Sequence, residues 1–272
     1  MHLVDPVGAA IRIAGEMDPG WGARLEGMRH RVRGDMSFRV LGAFAKPGDV
    51  VVDVGASAGL YACELARLVG PRGRVHAIEP DPASVSRLDA LRRAWPNITV
   101  HPVAVSERSG TATLHVPVVA GRRVGALASL SVPTWRAGVH HATVAVDLKP
   151  LDCILDGRRV SFVKVDVEGH ELAVFRGATE TLRSLPAVLV EIEQRHQQTD
   201  IRSTFDFLES LGYAGYALRE RALTPLAEFD VARDQLAFVT EAEQCGAMPP
   251  GYVHDFLFVR PGTDLRGQLA SA

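Results

Sequence analysis

The chain carries two kinds of hydrophobic pattern. Up to residue 46, apolar side chains such as Met28, Val32 and Met36 recur at near-helical spacing, which predicts a helical N-terminal lead-in. Beyond it, short runs of β-branched residues alternate with helical stretches, and these runs are apolar almost throughout. Such runs are typical of strands that are buried on both faces of a parallel sheet. We therefore predict a helical lead-in or cap over 1–46 and one α/β domain over 47–272.

The strand and helix pattern predicts a mostly parallel, doubly wound sheet of the Rossmann-like α/β class. Its predicted strands are 50–54, 75–78, 98–105, 161–165, 187–192, 213–218 and 255–260. Helices are expected between them, including one over 172–185 that ends before Pro186. Residues 111–147 instead contain short runs of alternating character, such as 128–132, which predict a small antiparallel insertion.

The composition of the chain argues against several classes of binding partner. Of the 272 residues, 47% are hydrophobic and 23% are charged, which is ordinary for a globular protein, and the net charge is −2. Such a chain offers no broad basic field for nucleic acid, and no apolar run approaches the roughly 20 residues that span a membrane. Cys63, Cys153 and Cys245 lie too far apart for a paired zinc motif and favour a reduced, cytoplasmic protein. Whether the chain forms a homo-oligomer is left open by the sequence.

The loop after the first strand has the spacing of a cofactor site. It reads Asp53-Val54-Gly55-Ala56-Ser57-Ala58-Gly59, and ligands of open α/β sheets bind at such strand ends. A dinucleotide-binding loop would have glycine in place of Ser57, so that its backbone could approach a pyrophosphate. The spacing instead favours S-adenosylmethionine. Asp53 would orient the ammonium group of this cofactor, and the amides between Gly55 and Gly59 would bind its carboxylate.

Two later strand ends extend this prediction. Glu79 ends the second strand, where its carboxylate can accept hydrogen bonds from both ribose hydroxyls, and Ser106 follows the third strand, where it would flank the adenine. A glycine pair after a strand is common among α/β proteins and is weak by itself. The carboxylates of Asp53 and Glu79 at two strand ends are what favour a cofactor site.

The fourth strand ends in the densest group of ionisable residues, Asp166-Val167-Glu168-Gly169-His170-Glu171. His170 is the candidate general base, because the ordinary pKa of histidine lies near 6.5. Asp166 and Glu168 would position the acceptor, and Asp166 would also contact the cofactor. Together with Glu191 they form a candidate set of oxygen ligands for Mg²⁺. The structural alternatives are a helix cap at Asp166, a favourable first-turn charge at Glu168 and a surface position for His170.

These motifs together resemble the FkbM family of methyltransferases. The resemblance is carried by residues 52–56, 59–61, 77–80, 104–106, 110, 151–152, 163–171 and 177–178. The K-x-D-x-E-G-x-E element at 164–171 is its most specific part. It implies a class I methyltransferase fold, O-methylation of hydroxyls on secondary metabolites or sugars, and cofactor contacts at Asp53, Gly55, Gly59 and Glu79. Family members commonly have asparagine where this chain has Ser57, which keeps a polar side chain at that position.

We therefore expect an enzyme that transfers the methyl group of S-adenosylmethionine to a hydroxyl of a small molecule, a secondary metabolite, a sugar or a glycolipid. Two alternatives stay open. One is an N- or carboxyl-methyltransferase of the same fold, and the other is a non-catalytic scaffold that keeps the fold for binding. The acidic residues at both strand ends argue against a scaffold. Dependence on Mg²⁺ is a further open prediction.

Overall fold

The computed structural model describes residues 11, 15, 18–131, 139–220, 222–239 and 249–270. The lead-in is described from Asp18 onward as two helices, α1 (Pro19–Arg33) and α2 (Met36–Phe44). The carboxylates of Asp18 and Asp35 cap these helices, since each accepts hydrogen bonds from amides of the following first turn. Except for residues 11 and 15, the chain before residue 18 lies outside the described residues.

The described chain alternates strands and helices in the predicted manner. Its strands are β1 (Val50–Val54), β2 (Arg74–Ile78), β3 (Ile98–His101), β4 (Ala104–Val105), β5 (Gly110–Val119), β6 (Arg122–Arg123), β7 (His141–Lys149), β8 (Phe162–Val165), β9 (Ala187–Glu191), β10 (Ala214–Arg219), β11 (Ala222–Pro225) and β12 (Asp255–Val259). Its further helices are α3 (Leu60–Val69), α4 (Pro82–Leu91), α5 (Leu151–Leu155), α6 (Glu171–Arg176), α7 (Thr179–Leu182), α8 (Arg202–Ser210), α9 (Val231–Asp234) and α10 (Leu265–Ala270). Among these described residues, no helix combines the length and the apolar character needed to cross a membrane.

Eight strands form the main sheet in the order β11-β10-β12-β9-β8-β1-β2-β3. β1, β2, β3, β8 and β9 are parallel, whereas β12 runs antiparallel to both of its neighbours, β9 and β10. The chain builds outward from β1 to β3 and then returns to place β8 on the other side of β1. The strand order therefore reverses between β1 and β8, which is where open α/β sheets bind their ligands. The predicted fold class, with its N-terminal helices and antiparallel insertion, is confirmed.

The small second sheet has the order β4-β7-β5-β6, and β5 pairs with β7 in an antiparallel ladder. Within this insertion the strand expected over 128–132 is wrong for 128–131, since among these described residues only Ser129 forms a bridge, to His115; residue 132 lies outside the described residues. The strand expected over 98–105 is divided between the two sheets. Pro102 lies at the division, where its lack of an amide hydrogen prevents a continuous ladder.

The helix expected over 172–185 is also divided, into α6 and α7. Gly177 separates them because its backbone packs directly on residue 106. A Cβ atom at Gly177 would lie 2.1 Å from the carbonyl oxygen of Ser106. This close approach brings the loop after β4 against the segment that follows β8.

Apolar side chains cover the two faces of the main sheet in separate clusters. One cluster joins residues such as Val52 and Val163 to α5–α8, and the other joins residues such as Val51 and Leu189 to α2–α4. Successive residues of a strand point to opposite faces, so the mostly apolar runs of β1 and β8 supply both clusters. Burial on both faces explains why the short apolar runs in the sequence predicted these strands so clearly.

Candidate functional site

The glycine loop after β1 is shaped by close contact with the end of β8. The Asp166 amide donates a hydrogen bond of 2.9 Å to the carbonyl oxygen of Val54, which fixes the two strand ends against each other. Gly55 has φ 81°, and a Cβ atom there would lie 1.7 Å from the Asp166 carbonyl oxygen. Glycine is therefore required at position 55 both for the backbone conformation and for the space.

A Gly55→Ala substitution is expected to lower the free energy of unfolding by about 3 kcal/mol or more, because backbone strain and a steric clash add at one site. Gly48→Ala is the matched control. Gly48 has φ 93° but faces open space, so it isolates the strain of the left-handed backbone. Denaturant unfolding of both variants measures the difference. Equal losses in the two variants would contradict the packing of Gly55 on β8.

Asp53 lies beneath this loop with only 1% of its surface exposed. Within the described part of the chain, its Oδ2 atom has no hydrogen-bond partner. Burial raises the pKa of Asp53 to about 7; Lys164 opposes this shift, while Asp166 and Glu79 add to it. A buried carboxylate with an unused oxygen suits the predicted contact with a cofactor ammonium group, and that contact stays a prediction.

Glu79 has a structural function that the sequence analysis did not predict. Its carboxylate accepts hydrogen bonds of 2.8 Å from the amides of Ser57 and Asp81. Ser57 adopts φ 45°, which is unusual for a non-glycine residue. The Glu79 carboxylate thus holds the glycine loop in its turn, and burial raises the pKa of Glu79 to about 7. A carboxylate oxygen can accept more than one hydrogen bond, so the predicted ribose contact stays open.

A pocket of about 630 Å³ opens beside this loop, at the carboxyl ends of β1, β2 and β8. It brings together six of the predicted site residues, namely Gly55, Ser57, Glu79, Asp166, Glu168 and His170. Asp53, Gly59 and Ser106 do not line it, although Ser106 contacts His170. The pocket has the position that the predicted cofactor site requires.

The insertion forms the opposite wall of the pocket. Leu114 and residues 125–130, except Leu127, line it. The Arg123 guanidinium pairs with the buried Asp81 carboxylate at 2.7 Å, and the Ser129 hydroxyl donates a hydrogen bond of 2.6 Å to the carbonyl oxygen of Glu168. These two contacts attach the insertion to both sides of the pocket. No motif in the sequence predicts this wall; its sequence signal is the apolar content of a segment without helical periodicity.

His170 faces the pocket from the start of α6. Its Nε2 atom lies 3.0 Å from the Ser106 hydroxyl oxygen. Burial lowers the pKa of His170, and the nearby Glu107 carboxylate opposes this shift. The imidazole is therefore neutral at pH 7 and has one nitrogen lone pair with which to accept a proton.

Glu168 is held in place by residues that follow β9. It adopts φ 54°, and its carboxylate lies 2.6 Å from Nδ1 of His196. Gly169 packs so tightly on this segment that a Cβ atom there would lie 2.4 Å from the His196 carbonyl oxygen. His196 is a site residue that the sequence analysis missed, because 28 positions separate it from Glu168 and no motif connects them.

Asp166 lies beside the buried Lys164, with 3.8 Å between its Oδ2 atom and the lysine Nζ. Burial raises the pKa of Asp166 to about 6, although the ammonium group of Lys164 opposes the shift. The Lys164 ammonium also lies 5.0 Å from the centre of the Tyr61 ring. One buried cation therefore stabilises the carboxylates at the ends of β1 and β8.

The predicted metal ligands do not form one group. Among the described residues, the three side chains close enough to share an ion are Glu191, His254 and Asp255, whose ligand atoms lie within 4.8 Å of one another. Glu191 is thus grouped with residues of β12, whereas Glu168 pairs with His196. An imidazole is an atypical ligand for Mg²⁺, which prefers oxygen. The donor set does not fit the predicted Mg²⁺ site of Asp166, Glu168 and Glu191.

Comparisons with known proteins identify the family of the chain. The model of the methyltransferase FkbM domain matches residues 53–216. The hexuronic acid methyltransferase AglP of Haloferax volcanii is 31% identical over 176 residues, covering 62% of this chain and 67% of that protein. The sequence prediction of the family is confirmed.

Solved structures give more distant likenesses. The methyltransferase FkbM from Methylobacillus flagellatus KT is 17% identical with a TM-score of 0.49, and the match covers 92% of this chain but 58% of that one. A fibrillarin from Aeropyrum pernix with natively bound S-adenosyl-L-methionine is 14% identical with a TM-score of 0.45, covering 82% of this chain and 73% of that one. The chain belongs to the FkbM family of S-adenosylmethionine-dependent methyltransferases.

Proposed function

We propose that the chain is an O-methyltransferase that transfers the methyl group of S-adenosylmethionine to a hydroxyl of a small molecule or sugar. The observation that carries this proposal is a single pocket that places the glycine loop and a neutral histidine side by side. A hydroxyl is a poor nucleophile at neutral pH and needs a base within reach. His170 provides such a base at the pocket wall.

The charges around the pocket favour a hydroxyl over a carboxylate as the acceptor. Glu79, Asp166 and Glu168 line it, and no lysine or arginine of the described chain does. A carboxylate acceptor would meet like charges without a cation, whereas a hydroxyl can donate to these carboxylates. The name of the relative AglP supports a sugar as the carrier of that hydroxyl.

The residues divide the chemistry between them. S-Adenosylmethionine, when bound, supplies an electrophilic methyl group. Asp53 and the amides of the glycine loop bind its amino-acid end, and Glu168 fixes the orientation of the acceptor. Neutral His170 accepts the hydroxyl proton directly or through the Ser106 hydroxyl that contacts its Nε2 atom. Alignment of the two reactants by the pocket adds to the effect of this proton transfer.

Titration calorimetry with S-adenosylmethionine and S-adenosylhomocysteine tests the cofactor part of the proposal. We expect micromolar binding of both compounds, unchanged when a chelator replaces Mg²⁺. An acceptor screen over sugars then follows, with NMR of the product to locate the new methyl group. Methylation at nitrogen or at a carboxylate would overturn the proposal of an O-methyltransferase. Absence of cofactor binding would overturn the proposal that this pocket holds S-adenosylmethionine.

The insertion is expected to slow release of the cofactor. Removing the ion pair with Arg123→Ala should raise the dissociation rate of S-adenosylhomocysteine about three- to tenfold, a modest effect because Arg123 is partly exposed. Arg122→Ala is the control, since Arg122 is its exposed neighbour in β6 and does not line the pocket. Stopped-flow displacement measures both rates. Equal rates in the two variants would exclude a function of this ion pair in cofactor retention.

A further inference from the structure

A second cleft lies on the same face of the sheet as α5, toward the amino ends of β1 and β2. It has a volume of about 720 Å³ and is lined by Val50, Arg74, His76, Thr99, His101, Ile154 and Arg158. Alternate residues of a strand share a face, so Arg74 and His76 lie on the face that Ile78 buries against α5–α8. α5 has only five residues and leaves this part of β2 and β3 uncovered.

Two histidines form the floor of the cleft. His76 Nδ1 lies 3.0 Å from His101 Nε2, and the two rings stack with centroids 5.2 Å apart. His76 is only 6% exposed, and within the described part of the chain its Nε2 atom has no hydrogen-bond partner. A sheet position this buried is normally apolar, and a buried imidazole nitrogen without a partner is unfavourable.

Apart from the histidines, the ionisable residues that line the cleft are two arginines. Arg74 and Arg158 are exposed at its rim, and Lys149 acts on His101 from the end of β7. Burial is the largest cause that lowers the pKa of both histidines. His101, Arg158 and Arg74 lower the pKa of His76 further, and Lys149 and Arg158 lower that of His101. In the described chain neither rim arginine has an ion-pair partner. The cleft is therefore a local positive field in a chain whose net charge is −2.

We propose that this cleft binds an oxyanion, a phosphate or a phosphoryl group, between the guanidinium groups of Arg74 and Arg158 and the imidazole pair of His76 and His101. Arginine offers several N–H donors in a planar arrangement that matches phosphate oxygens. A neutral imidazole keeps one N–H group, which adds one more donor. The cleft is separate from the cofactor pocket and has none of its lining residues in common with it.

The test uses the full chain in a buffer without multivalent anions, with inorganic phosphate as the probe. Calorimetry gives the dissociation constant, and NMR of the histidine Cε1–H groups reports on the floor of the cleft. We expect a saturable shift of the His76 and His101 signals as phosphate is added at pH 7. A sugar 1-phosphate serves as a second probe. If the two probes bind equally, the site is assigned to free phosphate. If the sugar 1-phosphate binds more tightly, the site is assigned to a phosphorylated molecule.

The double variant Arg74→Gln/Arg158→Gln should weaken phosphate binding at least about tenfold. Its control is Arg72→Gln/Arg159→Gln, which removes the same charge from two exposed neighbours that do not line the cleft. Binding of S-adenosylhomocysteine by every variant shows that the fold is intact. No saturable histidine shift up to about 20 mM phosphate, or equal affinities in the two double variants, would overturn the proposal.

Discussion

An Asp53→Asn variant should bind S-adenosylmethionine about 100-fold more weakly and still unfold less readily at high pH than the native chain. The loss of binding follows because the ammonium group of the cofactor would lose its only buried counter-charge at that position, which costs several kcal/mol. The gain in stability follows from the burial of this carboxylate. Asparagine keeps the shape of the side chain and carries no charge to bury.

The direction of the pH effect follows from the raised pKa. The folded chain holds a proton on Asp53 up to about pH 7, whereas the unfolded chain releases it near the ordinary value of 3.8. Between these values the folded state binds more protons, so the stability that Asp53 contributes is full below pH 3.8 and is lost as the pH rises through 7. At pH 8 the variant should therefore be more stable by as much as about 4 kcal/mol, and near pH 4 the difference should vanish.

Denaturant unfolding at pH 4, 6 and 8, with calorimetry of cofactor binding, measures both effects. Glu64→Gln is the control, since Glu64 is a buried carboxylate on α3 that pairs with Arg31 and Arg67 outside the pocket. That variant should lose stability and keep its cofactor affinity. Native cofactor affinity in Asp53→Asn would exclude a contact between Asp53 and the cofactor, and a pH dependence of stability equal to that of the native chain would contradict the raised pKa of Asp53.

The parts of the fold that the sequence predicted well are those whose signal is local. β1, β8 and β9 are apolar runs because both of their faces are buried, and the loop from Gly55 to Gly59 must turn tightly wherever its partners lie. The errors arise where a distant contact decides the local structure. The helix expected to run through Gly177 is divided because Gly177 packs on Ser106, which is 71 positions earlier.

The same distinction holds for the site. Asp166, Glu168 and His170 follow one strand, so their placement at one edge of the sheet could be inferred. Their partners could not, because His196 and Ser129 reach them through loops whose path depends on tertiary packing. The insertion was predicted as a separate antiparallel unit, yet no periodicity indicates that it forms a wall of the pocket. Partners of this kind carry no sequence signal beyond a polar residue in a loop.

Removal of the imidazole with His170→Ala is expected to lower kcat by about 100- to 10,000-fold, the range of general-base catalysis, and to leave cofactor affinity unchanged. The lowered pKa keeps His170 neutral at pH 7. In the native enzyme kcat should therefore fall only as the pH drops through a value below 6.5, where the imidazole becomes protonated. The variant should lose this acidic limb of the pH profile.

His140→Ala is the matched control, since His140 is exposed and does not line the pocket. Ser106→Ala adds a second test, because it removes the hydroxyl at 3.0 Å from Nε2 and should lower kcat less than loss of the imidazole itself. Added imidazole should restore part of the activity of His170→Ala and none in Ser106→Ala. Full turnover in His170→Ala, or an acidic limb that persists there, would assign the proton transfer to another group. Asp166, which lines the same pocket and has a pKa raised to about 6, would then be the next candidate.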